Sequence, residues 1–155
     1  GVEQSTFHHD AVFTVAQAKA TRGDLGGSHI KNLFLRNKKG RMWLVTCHED
    51  RQIDLKGLGA LVGAGRFSFA SAERMMKYLG VSPGAVTPLA IINDPTQAVS
   101  VVLDQAVLND DLINVHPLHN AATTSMSPAG LVRYLDEMKH SPTIIDLDPL
   151  CGVAQ

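Results

Sequence analysis

The sequence predicts a single α/β (α+β) domain over residues 1–155, with a mixed, largely antiparallel sheet and several surrounding helices. Two observations predict this class. The chain has 155 residues, which suits one hydrophobic core, since domains usually hold roughly 100–200 residues. Its β-rich runs are short, several are joined by turn residues as hairpins, and they do not alternate regularly with helices as in a parallel βαβ fold.

The first third of the chain holds the clearest hairpin signal. Thr14 is suited to cap a helix to about Arg22, and a glycine-rich loop over residues 23–28 follows. Residues 30–35 and 42–47 are rich in β-formers and flank the turn sequence Asn37-Lys38-Lys39-Gly40. We therefore expect two antiparallel strands with the turn at Gly40.

Two helices and a short strand are expected in the middle of the chain. Asp54 and Ser71 each precede apolar residues at helical spacing, and Gly63 and Gly80 stand where helices would end. Asp and Ser are favoured N-caps, and glycine is favoured just after a helix. Residues 66–69 would form a short strand between the two helices.

The second half of the chain predicts a further hairpin, a helix and a last strand. Residues 89–92 and 99–103 flank Asn93-Asp94-Pro95, a run of turn-forming residues. Residues 122–126 are β-branched enough for another strand. Ser127 and Pro128 then fit the N-cap and the first position of a helix, and residues 143–147 would close the chain as a strand.

Composition narrows the functional class. The chain has 14 Lys and Arg against 15 Asp and Glu, a net charge of -1, which argues against binding nucleic acid through a global basic field. Its two cysteines, Cys47 and Cys151, lie far apart, so neither a disulfide framework nor a cysteine-rich zinc site is expected. Without an apolar run of about 20 residues or a signal-peptide pattern, we expect a cytoplasmic protein that does not insert into membranes.

A search for nucleophiles and metal ligands yields no strong candidate. The sequence has no Gly-x-Ser-x-Gly motif, and Cys47 lies in an apolar run where a buried structural thiol is expected. Cys47-His48 and His116-x-x-His119 could supply zinc ligands, but Pro117 disfavours a helix and the spacing matches no common zinc motif. We expect no metal and no cofactor.

Three features could bind an anionic or ester substrate, and each has a plain structural alternative. Lys31 heads an apolar strand, where it either points into a pocket or is merely solvated. The basic run of Lys31, Arg36, Lys38, Lys39 and Arg41 fits a phosphate backbone, but it would equally protect an edge hairpin from aggregation. The loop over residues 84–88 is fixed in shape by proline and glycine, but from sequence alone it is only a turn. His116 precedes Pro117 and is therefore biased to extended backbone, but a single histidine more often has a structural role.

Seven blocks of residues, in order along the chain, carry a family resemblance. They are Val12-Phe13-Thr14-Val15, Gly27-Ser28-His29-Ile30-Lys31-Asn32-Leu33-Phe34-Leu35, Ile53-Asp54-Leu55-Lys56, Gly84-Ala85-Val86-Thr87-Pro88, Ile92-Asn93-Asp94, His116-Pro117-Leu118 and Ala122-Thr123-Thr124-Ser125. Together they resemble the YbaK/prolyl-tRNA synthetase-associated family of free-standing editing domains, in particular its alanyl-tRNA(Pro) deacylase branch. The family usually has His-Pro-Pro where this chain has His9-Asp10-Ala11. The resemblance implies a mixed, partly barrel-like sheet surrounded by helices.

The resemblance also implies an activity. It is the hydrolysis of a mischarged tRNA, most directly Ala-tRNA(Pro), by a positioned water molecule and without a nucleophile or metal. Removal of Cys, Ser or Thr from a tRNA, and a non-catalytic module that binds aminoacyl-tRNA, are the competing interpretations. The expected partner is aminoacylated tRNA(Pro), with prolyl-tRNA synthetase or an elongation factor as further candidates, and the expected state is a monomer.

The roles that the resemblance implies fall into three groups. The catalytic group is Lys31, Gly84 and His116, where the lysine would hold the terminal phosphate or the ester carbonyl and the histidine would limit the size of the amino-acid pocket. The substrate-binding group is Asn32, Ala85, Val86, Thr87, Pro88, Asn120 and Thr123. The tRNA-binding group is Arg36, Lys38, Lys39 and Arg41.

Overall fold

A computed structural model describes residues 4–8, 28–115 and 122–150 of the chain. Eight strands in this part form one mixed sheet. Their bounds are β1 (Gln4–His8), β2 (Ser28–Arg36), β3 (Met42–His48), β4 (Ser68–Phe69), β5 (Val99–Asp104), β6 (Ile113–Val115), β7 (Ala122–Met126) and β8 (Thr143–Ile145). The mixed sheet and the helices packed on it confirm the predicted fold class.

The strands follow the order β1-β7-β6-β2-β3-β5-β8, and β4 pairs with the far end of β2. The hairpin of β2 and β3 is antiparallel and pairs Ile30 with His48 through Arg36 with Met42. In contrast, β3 pairs with β5, β5 with β8 and β2 with β6 in parallel. The predicted central hairpin is therefore confirmed, and it sits in the middle of the sheet.

The hairpin turn is organised by Asn37, which is buried. Its Oδ1 accepts hydrogen bonds from the backbone N–H groups of Lys39 and Arg41 at 3.1 and 2.9 Å, and its Nδ2 donates to the carbonyl of Ala64 at 3.1 Å. Gly40 has φ +82°, a conformation that glycine adopts at little cost. The turn is thus fixed by one side chain and one glycine.

Each face of the sheet carries its own hydrophobic cluster, because successive side chains of a strand point to opposite faces. We call one side the loop face; its sheet residues include Phe34, Leu44 and Val101. The other side, called the α1 face after helix α1 (Leu55–Leu61) that packs on it, includes Leu35, Trp43 and Val102. Helices and loops cover both faces of the central strands.

Three α-helices pack on these faces. Helix α1 (Leu55–Leu61) lies on the α1 face, and α2 (Ala72–Leu79) and α3 (Pro128–Glu137) lie on the loop face. Ser71 and Ser127 cap α2 and α3, since their hydroxyls accept the N–H groups of Arg74 and Gly130. Asp54 precedes α1 but makes no such side-chain bond.

Short 3₁₀ helices connect the remaining segments, at Pro83–Ala85, Pro88–Asn93, Gln105–Asn109 and Asp148–Leu150. The Pro88–Asn93 helix corrects the expected second hairpin, because residues 89–92 are not a strand and residues 99–103 pair in parallel with β3. Thr87 caps this helix and Pro88 opens it, a local helix-start signal that outweighs the apolar run after it.

The expected turn after this helix is present, and the buried carboxylate of Asp94 holds it. It accepts hydrogen bonds from the N–H groups of Val99 and Ala98 at 2.8 and 3.1 Å, and His140 Nε2 lies 2.9 Å from it.

Two expected strands are shorter than predicted, since β4 begins at Ser68 and β8 ends at Ile145. The helix expected over residues 14–22 lies outside the described residues. Within the described ranges, no helix is long and apolar enough to cross a membrane.

Candidate functional site

Several of the predicted site residues lie at one end of the sheet, where β2 begins and β3 and β5 end. Asn32 is the centre of this region. Its side-chain Nδ2 donates to the backbone carbonyl of Val86 at 3.1 Å, and its Oδ1 accepts from the hydroxyl of Thr46 at 2.6 Å. Thr46 is fully buried. Because both ends of the amide are used, Asn32 fixes the 84–88 loop to the central hairpin.

The loop itself is compact. Ala85, Thr87 and Pro88 are buried, whereas Gly84 and Val86 are partly exposed. The N–H of Ala85 donates to the carbonyl of Ser82 at 2.9 Å, and the hydroxyl of Thr87 accepts from the N–H of Leu89 at 3.3 Å. These internal bonds hold the backbone of the loop in one conformation.

Two amides of this loop are candidates to bind a ligand. The 3₁₀ turn at Pro83–Ala85 directs the N–H groups of Ala85 and Val86 at the carbonyls three residues earlier, and Pro88 has no N–H. Among the described residues, the N–H groups of Gly84 and Thr87 make no hydrogen bond to a backbone carbonyl. Rigid backbone N–H groups are the usual means of binding the oxyanion that forms during ester hydrolysis. The loop therefore has the donors that such chemistry needs.

The α3 helix supports the segment that follows the loop. The hydroxyl of Tyr134 donates to the carbonyl of Leu89 at 2.6 Å. Burial raises the pKa of the Tyr134 phenol above its ordinary value of 10.0, because a phenolate would lose solvation there. Tyr134 is therefore a neutral donor that holds the Pro88–Asn93 helix in place.

Lys31 is positioned by a different set of contacts. It lies on β2 opposite Cys47, and its ammonium group donates to the backbone carbonyl of Arg51. The Arg51 guanidinium lies 3.1 Å from Asp104 Oδ2 and 2.5 Å from Asp148 Oδ1. Asp104 is fully buried, so the two ion pairs hold the segment after β3 against the end of β5.

The side chains of Lys31 and Asn32 leave β2 on opposite faces. Asn32 contacts the loop on the loop face, and Lys31 lies on the α1 face with Leu33 and Leu35. The structure thus brings Asn32 together with the 84–88 loop, and it places Lys31 with Arg51. Both groups share one end of the sheet, separated by the backbone of β2.

Three of the predicted site residues follow β6 in the sequence. His116 and Asn120 lie outside the described residues, as does the side chain of Thr123, whose backbone pairs with Phe7 between β7 and β1. Strand β6 ends at Val115, one residue before His116. Their roles stay predictions from the family resemblance.

The basic hairpin lies at the opposite end of β2. Lys38, Lys39 and Arg41 are exposed, and Arg36 is half-buried. Since the turn is fixed by Asn37, three exposed cations are presented from a rigid backbone. Arg36, the nearest of these residues, is five positions from Lys31 along β2, or about 16 Å at roughly 3.3 Å per residue, so the structure does not bring the tRNA-binding candidates into the catalytic cluster.

Sequence reasoning did not identify Thr46, Arg51, Asp104 or Asp148 as part of the site. One signal was available: Asp104 ends the apolar run Val101-Val102-Leu103, and a buried aspartate usually requires a charged partner. Nothing in the sequence marks the carbonyl of Arg51. Among the residues that the structure describes, no three His, Cys, Asp or Glu side chains are grouped as metal ligands, and His48 instead pairs with Asp110 at 2.6 Å.

Comparison with known proteins identifies a matching family and several similar proteins. The sequence model of a family described as aminoacyl-tRNA editing domain matches residues 9–134. Prolyl-tRNA synthetase associated domain-containing protein 1 of Danio rerio is 36% identical over 149 residues, which cover 95% of this chain and 81% of that protein. The prolyl-tRNA editing protein ProX of Acetoanaerobium sticklandii is 38% identical over 127 residues, which cover 81% of this chain and 77% of that protein.

Solved structures share the fold. A crystal structure of a proposed trans-editing enzyme for prolyl-tRNA synthetase superposes with a TM-score of 0.71 and 22% identity, over 93% of this chain and 85% of that chain. At this level of identity the similarity concerns the fold alone.

Proposed function

The chain belongs to the aminoacyl-tRNA editing domain family, and from that premise we propose that it hydrolyses Ala-tRNA(Pro) in trans. The membership confirms the resemblance drawn from the seven residue blocks, and editing domains of this family are aminoacyl-tRNA deacylases. The observation that carries the proposal is the Asn32 contact, which holds a loop with two available amides rigidly against the central hairpin. We propose alanine as the amino acid that is removed, and we assign the individual residues the roles given below.

In the proposed reaction, a water molecule attacks the carbonyl carbon of the aminoacyl ester. The amides of Gly84 and Thr87 would stabilise the negative charge that develops on the carbonyl oxygen. The tetrahedral intermediate then collapses, the bond to the ribose oxygen breaks, and that oxygen takes up the proton that the water loses. The products are free alanine and tRNA, and the balance requires no other reactant.

Lys31 would bind the terminal adenosine through its phosphate, because an ammonium group is a compact point charge for an anionic oxygen. Since Lys31 and the 84–88 loop lie on opposite faces at the same end of the sheet, the 3′ end would pass over the start of β2. The phosphate would then contact the α1 face while the ester reaches the loop face. The Arg51 carbonyl would keep the ammonium group in place until the phosphate arrives.

Specificity for alanine would be steric. A rigid wall can reject proline, which is larger, whereas a pocket discriminates weakly against a smaller side chain. By the family resemblance, His116 would form this wall and Asn120 and Thr123 would line the pocket. The exposed cations Lys38, Lys39 and Arg41, with Arg36, would contact the tRNA backbone.

A panel of charged tRNAs tests the proposal. The purified chain would be incubated with Ala-, Ser-, Cys-, Thr- and Pro-tRNA, and the release of each amino acid measured. We expect rapid release of alanine and little release of proline. His116→Ala should then increase prolyl-tRNA(Pro) hydrolysis by roughly 10–200-fold, the range for a few methylenes in a pocket.

Each alternative has its own outcome in this panel. Preferred release of Ser, Cys or Thr would overturn the assignment of alanine. Tight binding of charged tRNA without release of any amino acid would overturn hydrolysis altogether. A uniform loss of activity in His116→Ala, with no gain on proline, would show that His116 contacts the ester or the ribose instead of forming a wall.

A further inference from the structure

We propose that Phe69 is a stacking platform for a base in the unpaired 3′ end of the tRNA. This contact rests on the proposed function and extends it, since it names a part of the tRNA and a residue outside the catalytic cluster. Its support comes from the exposure of the ring, the cations of the adjacent hairpin and its distance from Lys31.

The ring of Phe69 is exposed on a rigid element. At 64% relative exposure it is the most exposed large apolar side chain of the described residues. Its strand β4 pairs with β2, with Phe69 opposite the buried Leu35, and the N–H of Ala70 donates to the carbonyl of Phe34 at 2.9 Å. The backbone on both sides of the ring is therefore fixed.

Its neighbour Phe67 shows the contrast on the same segment. Phe67 is buried and packs edge to face on Trp43, with ring centroids 5.0 Å apart. The hydrophobic core thus uses one of the two aromatic rings and leaves the other in solvent. A large aromatic ring held in this way can stack on a nucleobase with little loss of conformational freedom.

The cations of the adjacent hairpin favour a nucleic acid as the occupant. Ser68 pairs with Arg36, so these two side chains share the loop face, opposite Phe69, and Arg36 leads directly into the hairpin turn with the exposed Lys38, Lys39 and Arg41. Residues 31–41 include no Asp or Glu. A combination of cations for the phosphates and an aromatic ring for the bases is typical of proteins that bind single-stranded nucleic acid. A protein partner would instead require a contiguous apolar patch.

The position of Phe69 relative to Lys31 indicates which nucleotide it would meet. Side chains directly opposite in an antiparallel pair share a face, so Phe69, like Leu35, lies on the α1 face with Lys31. Leu35 is four residues beyond Lys31, which is about 13 Å at roughly 3.3 Å per residue, and β4 adds one strand spacing of about 4.8 Å. The resulting separation of about 14 Å corresponds to roughly four stacked nucleotides at about 3.4 Å each.

With the terminal adenosine at Lys31, the ring would therefore stack on the base about four nucleotides from the aminoacylated end. That position is where the unpaired 3′ end leaves the acceptor helix. A platform there would hold the single strand between the basic hairpin and the catalytic cluster.

A thermodynamic cycle between protein and RNA tests this contact. Binding of uncharged tRNA(Pro) would be measured for the wild type and Phe69→Ala, each with intact tRNA and with tRNA that lacks the base at the fourth position from the 3′ end. Stacking contributes about 1–3 kcal/mol per base, or roughly 5–150-fold in affinity. We expect either change alone to weaken binding by this factor, and the two together to weaken it no further.

Two further variants serve as controls. Phe69→Trp should keep the affinity, and Ile144→Ala, which truncates another exposed apolar side chain on β8, should not change it. Unchanged affinity of Phe69→Ala, or effects of the two changes that multiply, would overturn the stacking contact. Because the cycle uses uncharged tRNA, it is independent of hydrolysis, so an absence of alanine release would overturn only the proposed function.

Discussion

Lys31 and Asn32 are adjacent in β2, but they are held in different ways. Asn32 uses both ends of its amide inside the protein, on the hydroxyl of a buried threonine and on the carbonyl of Val86. Lys31 donates to one backbone carbonyl and is half-buried. The asparagine therefore has the contacts of a residue that builds the site, and the lysine retains donors for a ligand. The difference predicts that one substitution affects mainly stability and the other mainly activity.

The largest expected effect is on activity. Lys31→Ala should lower the rate of Ala-tRNA(Pro) hydrolysis by roughly 10²-fold, because the ester would be misplaced at the 84–88 loop once the phosphate contact is lost. The unfolding temperature should change little, because a half-buried lysine with a single hydrogen bond contributes about 1 kcal/mol. Single-turnover deacylation and thermal unfolding would be measured on the same preparation.

Lys56→Ala is the matched control for this prediction. Lys56 is an exposed lysine on α1, and its removal should change neither quantity. A Lys31→Ala variant that turns over at the rate of the Lys56→Ala variant would remove Lys31 from the site. A large loss of stability in Lys31→Ala would remove the distinction between the two neighbours.

The second expected effect is on stability. Asn32→Ala leaves the buried Thr46 hydroxyl and the Val86 carbonyl without a partner, which costs about 1–3 kcal/mol. For a chain of this size, each kcal/mol lowers the unfolding temperature by roughly 2–4 °C. Thermal unfolding measures this loss, and hydrolysis should fall with it because the 84–88 loop is no longer anchored.

Two variants sharpen this result. Asn109→Ala, at an exposed asparagine, should leave the unfolding temperature unchanged. Adding Thr46→Val to Asn32→Ala should recover part of the lost stability, because the valine has no hydroxyl to satisfy, but it should not recover activity. Recovery of activity along with stability would mean that the loop does not need its anchor.

The smallest expected effect concerns Tyr134, behind the same loop. Its folded-state pKa is raised, so its contribution to stability is complete below about pH 10 and is lost as the pH rises through the folded-state value. Tyr134→Phe should cost about 1 kcal/mol at neutral pH, through the lost hydrogen bond to Leu89. The difference from the wild type should shrink above pH 10.

Urea unfolding at pH 8 and above pH 10 would measure this dependence. Tyr78→Phe is the control, since the Tyr78 hydroxyl makes no hydrogen bond to another described residue. If the difference between wild type and Tyr134→Phe is the same at both pH values, the phenol does not titrate with a raised pKa.

The same contrast explains which parts of the molecule could be predicted from the sequence. The central hairpin and the α2 and α3 helices were predictable because their signals are local, as with Asn37 and Gly40 or Ser127 and Pro128. The error at residues 89–92 arose where an apolar run competed with the Thr87-Pro88 helix start. The parallel pairing of β3 with β5 joins residues far apart in the chain, and no local pattern specifies such a partner.

The candidate site was predictable only in part for a similar reason. Lys31, Asn32 and the 84–88 loop could be named as candidates because their side chains and glycines form recognisable blocks. The group that positions Lys31 is the backbone carbonyl of Arg51, and every residue has such a carbonyl. Its location depends on ion pairs with Asp104 and Asp148, which come together only in the folded chain.

The turn at Asn37 also bears on the order in which the chain folds. β2 and β3 are joined by a tight turn, so they can pair after closing a very short loop, whereas β3 and β5 must first bring distant segments together. Loop closure makes the second step slower. We expect Asn37→Ala to slow refolding in stopped-flow experiments by nearly its full effect on stability, which would identify the hairpin as part of the folding nucleus. The strand that presents Lys31 and Asn32 would then be among the first elements of the protein to form.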